Sequence, residues 1–375
     1  MSDTPVCIHV STSDRGGGAE HAALSLHRAM ARWGWSSTLA VGWQHDDVEG
    51  CVQIPNERYS SMRTRLARKW RVSRGYEIAP YPGTVHIPQL SPRTPDVIHL
   101  HNLHGHYFDL RELPRLSAQY PTVLTVHDGW LLSGHCAHGV ECERWMSGCG
   151  QCPHLEYPPR IPHDKTMQNW KAKRRIVQKS ALHVVAPSQW MAKRFESAFG
   201  PHLASLQVIP NGVDPQVFRP RDRDSARTRF GIDSDAFVIG TNHVGANNPY
   251  KDLEGTRQAI VQEIDKHSNQ KTVVLCIGDA TVPDLPPPVR LLSTGYLSQS
   301  DVAWALNCCD LFVHISRVEN LPLAPIEAQM CGVPIKVNEV GGLPETLSDS
   351  PRHDFDINYI TRQYLALYDK VRNNA

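Results

Sequence analysis

Residues Cys309 to Leu347, reading CDLFVHISRVENLPLAPIEAQMCGVPIKVNEVGGLPETL, constrain the fold of this chain more than any other stretch. Leu311 to Ile315 form an apolar run of strand length, and a polar loop carrying Ser316, Glu319 and Asn320 follows at once. A helix is predicted from near Pro325, whose fixed φ suits a first helical position. Gly332, a second strand over 333–337 and a Gly341-Gly342 turn closed by Glu345 complete the segment. A strand, loop and helix in this order bring free backbone N–H groups to the positive end of a helix dipole, which makes an anion site. Glu319 and Glu327 stand beside it as acceptors for vicinal hydroxyls, Glu327 in the predicted first turn. A phosphate site next to diol acceptors points to a nucleotide sugar. Either glutamate is also explained by the helix dipole alone, which favours acidic residues in a first turn.

Taken together, Ser316-x-x-Glu319-Asn320-Leu321-Pro322, Glu327-Ala328-x-x-Cys331-Gly332-x-Pro334 and Gly341-Gly342-x-Pro344-Glu345 resemble the donor motif of retaining glycosyltransferases of family 4. The resemblance covers nearly the whole chain. It implies an α/β fold of the GT-B kind, two Rossmann-like domains facing across a cleft. It also implies that Glu319 contacts the donor sugar and Glu327 the ribose. Leu323-Ala324 depart from the usual Asn-Thr, and Lys336 stands where the following strand is normally apolar. Asn320 is expected among the donor-binding residues, and the amides around Leu323 and Ala324, with Lys251, are expected to hold the donor diphosphate.

The 375 residues suffice for two α/β domains. A net charge of +1 gives no mark of a nucleic-acid binder. With no N-terminal apolar h-region and no run of 18 apolar residues, the expectation is a cytoplasmic protein, peripheral at most at the inner face of the membrane. The domains expected are 1–210, with a cysteine-rich insertion at 135–154, and 211–350. Residues 351–375 are expected to form a terminal helix crossing back to the first domain. Family members usually continue further, so the second domain is expected to be abbreviated.

The chain opens with a strand over 6–10, a loop containing Gly16, Gly17 and Gly18, and a helix from Glu20 onward, a Rossmann-like start in which glycine permits close backbone approach to a ligand. By resemblance, Gly17-Gly18-Ala19-Glu20 lies near donor phosphate, with Glu20 on the acceptor side. Ligands of parallel sheets gather outside the carboxyl ends of strands. That singles out His101 and Asn102 after one apolar run, and His127-Asp128 after another. A buried histidine on a strand is often just a hydrogen-bonded core group. The resemblance assigns His127 to the donor sugar and makes His127, Asp128 and Glu319 the candidates at the reacting centre, with His101 and Asn102 on the acceptor side.

Residues 62–74, MRTRLARKWRVSR, hold six basic side chains and no acid, with Met62, Leu66 and Trp70 on one helical face. Such a helix either lies on an anionic membrane or packs a narrow stripe on the core. A second basic helix is expected over 171–179. Cys136, Cys142, Cys149 and Cys152 have the spacing C-x5-C-x6-C-x2-C, consistent with structural Zn²⁺, paired disulfides, an iron–sulfur cluster or reduced thiols. In the second domain Lys251 is the cation placed to neutralise a departing diphosphate, or else a solvated lysine at a helix start. The family's accompanying Arg falls at Ala246 or Asn247. No Asp-x-Asp motif for a catalytic metal is present.

The reading is therefore a retaining, metal-independent hexosyltransferase. It would move sugar from a UDP- or GDP-linked donor to a glycan or lipid-linked acceptor in surface exopolysaccharide synthesis. A sugar-nucleotide epimerase of the same fold and a non-catalytic partner protein are the alternatives.

Overall fold

The computed structural model describes residues 4–242, 248–278 and 282–373. The chain divides into two compact units, Met1–Gly212 with Ile360–Ala375, and Val213–Tyr359.

The first unit is built on seven parallel strands: β1 (Val6–Ser13), β2 (Ser36–Trp43), β3 (Cys51–Gln53), β4 (Val97–Leu100), β5 (Thr122–Thr125), β6 (His183–Ala186) and β7 (Ser205–Val208), in the order β3-β2-β1-β4-β5-β6-β7. Its central strands are buried almost throughout, which is why they read as continuous apolar runs rather than as an alternation. β1 runs three residues past the expected end, because Ser11 and Ser13 still pair with Val41 and Trp43 of β2. Helix α1 (Gly18–Met30) follows the glycine loop. The short α2 (Asn56–Tyr59) and α3 (Met62–Ser73) follow β3.

The terminal helix Ile357–Asn373 belongs to this unit from Ile360 on. It buries Ile360, Tyr364, Leu365, Leu367, Tyr368 and Val371 among Cys7, Met30, Val97, Val123 and Val185 of the first sheet and α1.

The second unit holds five parallel strands: β8 (Phe237–Thr241), β9 (Thr272–Cys276), β10 (Arg290–Ser293), β11 (Leu311–His314) and β12 (Ile335–Val337), ordered β10-β9-β8-β11-β12. In both sheets the order reverses beside the first strand, between β1 and β4 and between β8 and β11. Such switch points open crevices at the carboxyl ends of the strands. Lys336, unusual for its strand, sits on the edge strand β12 and pairs with Glu263 at 2.8 Å, so its charge is met by the covering helix Leu253–Lys266.

Candidate functional site

In the second unit the helix expected near Pro325 begins at Leu323 and ends at Met330. Pro322 is its extended N-cap, and Pro325 falls among the first four positions, where a missing N–H costs nothing. Glu327 therefore lies in the second turn, not the first. The helix dipole acts mainly on the terminal turn. Burial dominates instead and pushes the Glu327 carboxyl up to about 7.

Beyond β11, Glu319 carries the densest set of contacts. The Lys251 ammonium donates to Glu319 Oε1, Ser316 Oγ approaches that oxygen at 3.3 Å, and His314 Nε2 lies 3.6 Å away. Burial opposes ionisation of Glu319, yet the Lys251 charge and the His314 ring together hold it well below the usual carboxylate range. His314 is lowered, first by burial and then by Lys251, and its Nδ1 meets Asn242 Oδ1 at 2.9 Å. Asn338 clamps the loop from β12, accepting from the Ser316 amide at 3.1 Å and donating to the Ser316 carbonyl at 2.8 Å. Gly342 N–H donates to the Glu319 carbonyl at 3.0 Å. Gly341 has φ +58°, and a Cβ there would stand 2.1 Å from that same carbonyl oxygen. The glycine pair thus serves the Glu319 loop by close backbone approach. Asn320 is buried beside it. Ala246 and Asn247, the positions discussed for a second cation, lie outside the described residues.

In the first unit, Gly17 is the N-cap of α1 and its N–H donates to Glu20 Oε2 at 3.0 Å. Glu20 caps its own helix in this arrangement. The middle of β1 and the ends of β4 and β5 bring histidines together. His9 Nε2 meets Met30 Sδ at 3.0 Å, His9 Nδ1 meets His101 Nε2 at 3.2 Å, and His101 Nδ1 meets His127 Nε2 at 3.0 Å. Burial lowers all three, His127 to about 4, so each ring is neutral with one N–H and one lone pair. A thioether only accepts. His9 must then donate to Met30 through Nε2, His101 to His9 through Nε2, and His127 to His101 through Nε2. His127 is left with its lone pair on Nδ1. His101, expected on the acceptor side, is instead a buried link behind His127, with both ring nitrogens engaged.

His99 is held apart from this chain by Tyr368 OH at 2.6 Å and Thr125 Oγ1 at 2.7 Å. His9, His99 and His101 are the only group among the described residues with three potential metal-ligand atoms within 4.8 Å of one another. Their nitrogens are already satisfied by the partners named.

Asp128 is less free than a general base would be. Its Oδ2 meets His104 Nε2 at 2.8 Å and its Oδ1 accepts from Trp130 N–H at 2.9 Å. Burial opposes its charge, but His104 prevails and holds it down at about 2, while Asp128 raises His104 against its own burial. Asn102 offers its carbonyl to Tyr107 OH.

Behind this loop Lys173, in the basic helix expected over 171–179, is fully buried. In the helix Thr166–Gln178 its ammonium donates to Glu77 at 3.1 Å and to the Trp130 carbonyl at 2.9 Å, 3.6 Å from the Trp130 ring centroid. The cysteine-rich segment packs around this pair. Cys136 and Cys149 are pushed up, by burial, to about 12 and about 11. Cys152 Sγ faces His135 Nε2 at 3.5 Å. Cys136, Cys142, Cys149 and Cys152 are all free thiols and do not form a three-ligand group. A tetrahedral zinc site needs deprotonated sulfurs about 2.3 Å from one ion, and the four cysteines as placed do not fit one.

The sequence profile of Glycosyltransferase Family 4 matches residues 16–217, more than half of the chain. The chain belongs to glycosyltransferase family 4. A second profile, Glycosyl transferases group 1, matches residues 243–351. The Escherichia coli (strain K12) protein WcaC, named for glycosyl transfer in colanic acid biosynthesis, is 26% identical over 353 residues, covering 89% of this chain and 83% of that one. A Corynebacterium glutamicum mannosyltransferase named as GDP-mannose-dependent is 30% identical over 177 residues, 43% of this chain and 45% of that one. Among solved structures, Anabaena Alr3699/HepE in complex with UDP-glucose superposes with a TM-score of 0.65 at 16% identity, covering 97% of this chain and 99% of that one. WaaG, a glycosyltransferase of lipopolysaccharide biosynthesis, superposes with 0.58 at 15% identity, covering 98% and 94%. These likenesses show the GT-B fold.

In the second unit Lys251 pairs with Glu319, and Leu323, Ala324 and Glu327 lie on the adjoining helix. His314 and His104 were not singled out from the sequence. His314 lies within an apolar strand and looks like a core residue. The signal for His104 was its place three residues after His101 in a loop at a strand end.

Proposed function

We propose that this family 4 glycosyltransferase moves a hexose from a UDP- or GDP-linked donor to a glycan or lipid-linked acceptor in surface polysaccharide synthesis. Transfer is with retention of anomeric configuration and without a catalytic metal. The observation that carries the reading is the Lys251–Glu319 pair beyond β11, a partly buried cation and carboxylate at a switch point. Complexes of Alr3699/HepE with UDP-glucose and the GDP-mannose dependence of the Corynebacterium relative support a nucleoside-diphosphate donor.

In this reaction the anomeric carbon–oxygen bond to the diphosphate breaks and a bond to the acceptor oxygen forms. The acceptor's proton passes to the departing phosphate. Charge therefore develops on the diphosphate, where a cation partly withdrawn from water acts more strongly than a fully solvated one. Lys251 and the Leu323 and Ala324 amides would receive that charge, and Glu319, with Asn320 beside it, would accept hydrogen bonds from sugar hydroxyls. Glu327 would hold the ribose diol. His127 would contact the donor sugar near the reacting centre.

No described helix is long and apolar enough to cross a membrane. The stripe that could have packed on the core does not: Met62, Leu66 and Trp70 are 72%, 60% and 52% exposed. Beside the arginines of α3 this favours peripheral contact with an anionic leaflet.

A thermal-shift series with UDP, GDP, dTDP and ADP tests the donor class, since a native-state ligand raises stability by RT ln(1 + [L]/Kd). One nucleotide is expected to give a clear shift, and Glu327→Ala to reduce it. No shift with any of the four would refute the reading. Conversion of the donor sugar without acceptor, followed by NMR, would replace transfer with epimerisation.

A further inference from the structure

The helix Gln189–Phe199 that follows β6 buries Met191, Ala192, Phe195 and Phe199 in the core of the first unit. Trp190 and Arg194, four positions apart on that helix, share a face beside the buried stripe. Trp145 joins them from the short helix Arg144–Ser147 of the cysteine-rich segment. The Arg194 guanidinium packs on both indoles, 4.3 Å from the Trp145 ring centroid and 4.7 Å from that of Trp190. Ring faces fix a guanidinium in place and leave its N–H fork to other partners.

That fork meets no acceptor among the described residues, and Nε is shut off from solvent as well. Trp145 Nε1, on a residue only 7% exposed, is likewise buried without an acceptor. Buried donors in native proteins are nearly always hydrogen-bonded. Burial acts against the charge of Arg194, yet a guanidinium keeps its proton in a protein. Two neighbouring donors left over at one place, one of them charged, mark a site for an anion. The groups whose charge bears on Arg194 are Glu143 and Cys136, with no second cation among them. A lone planar guanidinium matches one carboxylate through two parallel hydrogen bonds, so the surroundings suit a monoanion better than a phosphate dianion.

This cluster adjoins the candidate reacting centre of the same unit. Gly129 N–H, next to Asp128, donates to the Ala137 carbonyl at 2.6 Å. His138 therefore stands beside the Asp128 loop, where its charge helps to hold the Asp128 carboxyl low. Its ring centroid is 6.3 Å from that of Trp190. Contacts thus run from Asp128 through His138 and Trp190 to Arg194.

We propose that Arg194, held by Trp145 and Trp190, binds the carboxylate of the acceptor, and that the acceptor glycan therefore carries an acidic sugar of the uronic acid class. The proposal rests on the transfer reading above and names its acceptor class. Arg194 takes the carboxylate through its fork, Trp145 Nε1–H adds a donor, and Glu143 is the competing carboxylate of the chain itself.

The test uses the full chain with glucuronate, glucose and glucose 6-phosphate as probes. Binding is read from the indole N–H signals of Trp145 and Trp190 in nitrogen-15 spectra, assigned with Trp145→Phe and Trp190→Phe. Glucuronate is expected to shift both signals at a concentration roughly tenfold below that of glucose, as a charge-assisted bidentate contact requires. Arg194→Lys, which keeps the charge and loses the fork, should remove most of that advantage. Glu143→Gln should strengthen glucuronate binding and leaves the Arg194 packing untouched. An equal response to glucose and glucuronate, or one indifferent to both Arg194→Lys and Glu143→Gln, overturns the proposal. Tighter binding of glucose 6-phosphate than of glucuronate overturns the carboxylate assignment. UDP and GDP binding is measured on the same proteins and shows whether each variant keeps its fold. A chain that binds nucleotide but not glucuronate overturns this inference and spares the transfer reading. One that binds glucuronate through Arg194 but no nucleotide does the reverse.

Discussion

His101 Nδ1 and His127 Nε2 stand 3.0 Å apart at the ends of β4 and β5, and the direction of that hydrogen bond is set at Met30, two links away. The thioether accepts and cannot donate, so the whole chain of neutral rings is oriented from the α1 side. His127 is thereby the Nε2–H tautomer and an acceptor at Nδ1. The tautomer of a neutral imidazole is decided by the bond its other nitrogen makes.

Nitrogen-15 spectra of histidine-labelled protein should show His127 protonated at Nε2 near neutral pH. Met30→Leu removes the acceptor that orients the chain, so the His127 tautomer should become mixed. A purely packing role for Met30 would lower stability and leave the tautomer unchanged. Finding His127 protonated at Nδ1 in the unaltered protein would overturn the assignment.

Glu327 should couple pH to both stability and donor binding. Its folded-state value is raised from 4.5 to about 7 by burial. The folded form binds this proton more tightly than the unfolded form, so the stabilisation is full below 4.5 and is lost as pH rises through 7. The change amounts to at most about 3 kcal/mol. A ribose diol needs the carboxylate as acceptor, so nucleotide affinity should fall as pH drops below 7. Glu327→Gln should flatten both profiles relative to the unaltered protein, with urea midpoints and calorimetry across pH 5–8 as the readouts.

Gly341→Ala should disturb the Glu319 loop more than an alanine in a turn normally would. The residue must keep φ +58°, and its Cβ would meet the Glu319 carbonyl oxygen at 2.1 Å. The left-handed conformation alone costs about 1–2 kcal/mol for a residue with a side chain. A loss of at least about 2 kcal/mol is expected once the contact is relieved, with weakened nucleotide binding. Unchanged stability would show that the loop is not pinned there.

Lys173→Met should cost about 3–5 kcal/mol, because it leaves the Glu77 carboxylate buried without its cation. Glu77→Gln added to Lys173→Met should recover part of that loss, since the unpaired charge is gone. Urea denaturation of the two single variants and the double gives the coupling directly. Strictly additive losses would mean that the pair is not coupled as its geometry indicates.

Much of the architecture was legible because it is written locally. The strand runs and the glycine loops depend on residues a few positions apart. The Glu319 loop was legible for the same reason, since Ser316, Glu319 and Gly341 lie within one strand–loop–helix–strand unit. Lys251, reaching Glu319 across 68 positions, was legible only through family resemblance.

Other features are set by partners distant in sequence. Lys173 sits in a string of lysines and arginines, and its burial is compensated by Glu77, 96 positions away, and by the Trp130 carbonyl, 43 away. Tyr368 reaches His99 across 269 positions, a contact that no periodicity in the terminal helix announces. The stripe of Met62, Leu66 and Trp70 has the same helical spacing whether it meets the core or water, and the fold leaves it in water. His101 reads as a ligand by its place at a strand end, yet His9 and His127 occupy both its nitrogens. Local order thus determined the two parallel sheets and the donor motif. Tertiary structure decided which charged and titratable groups are buried, because desolvation and pairing depend on the chain segments that close over each group.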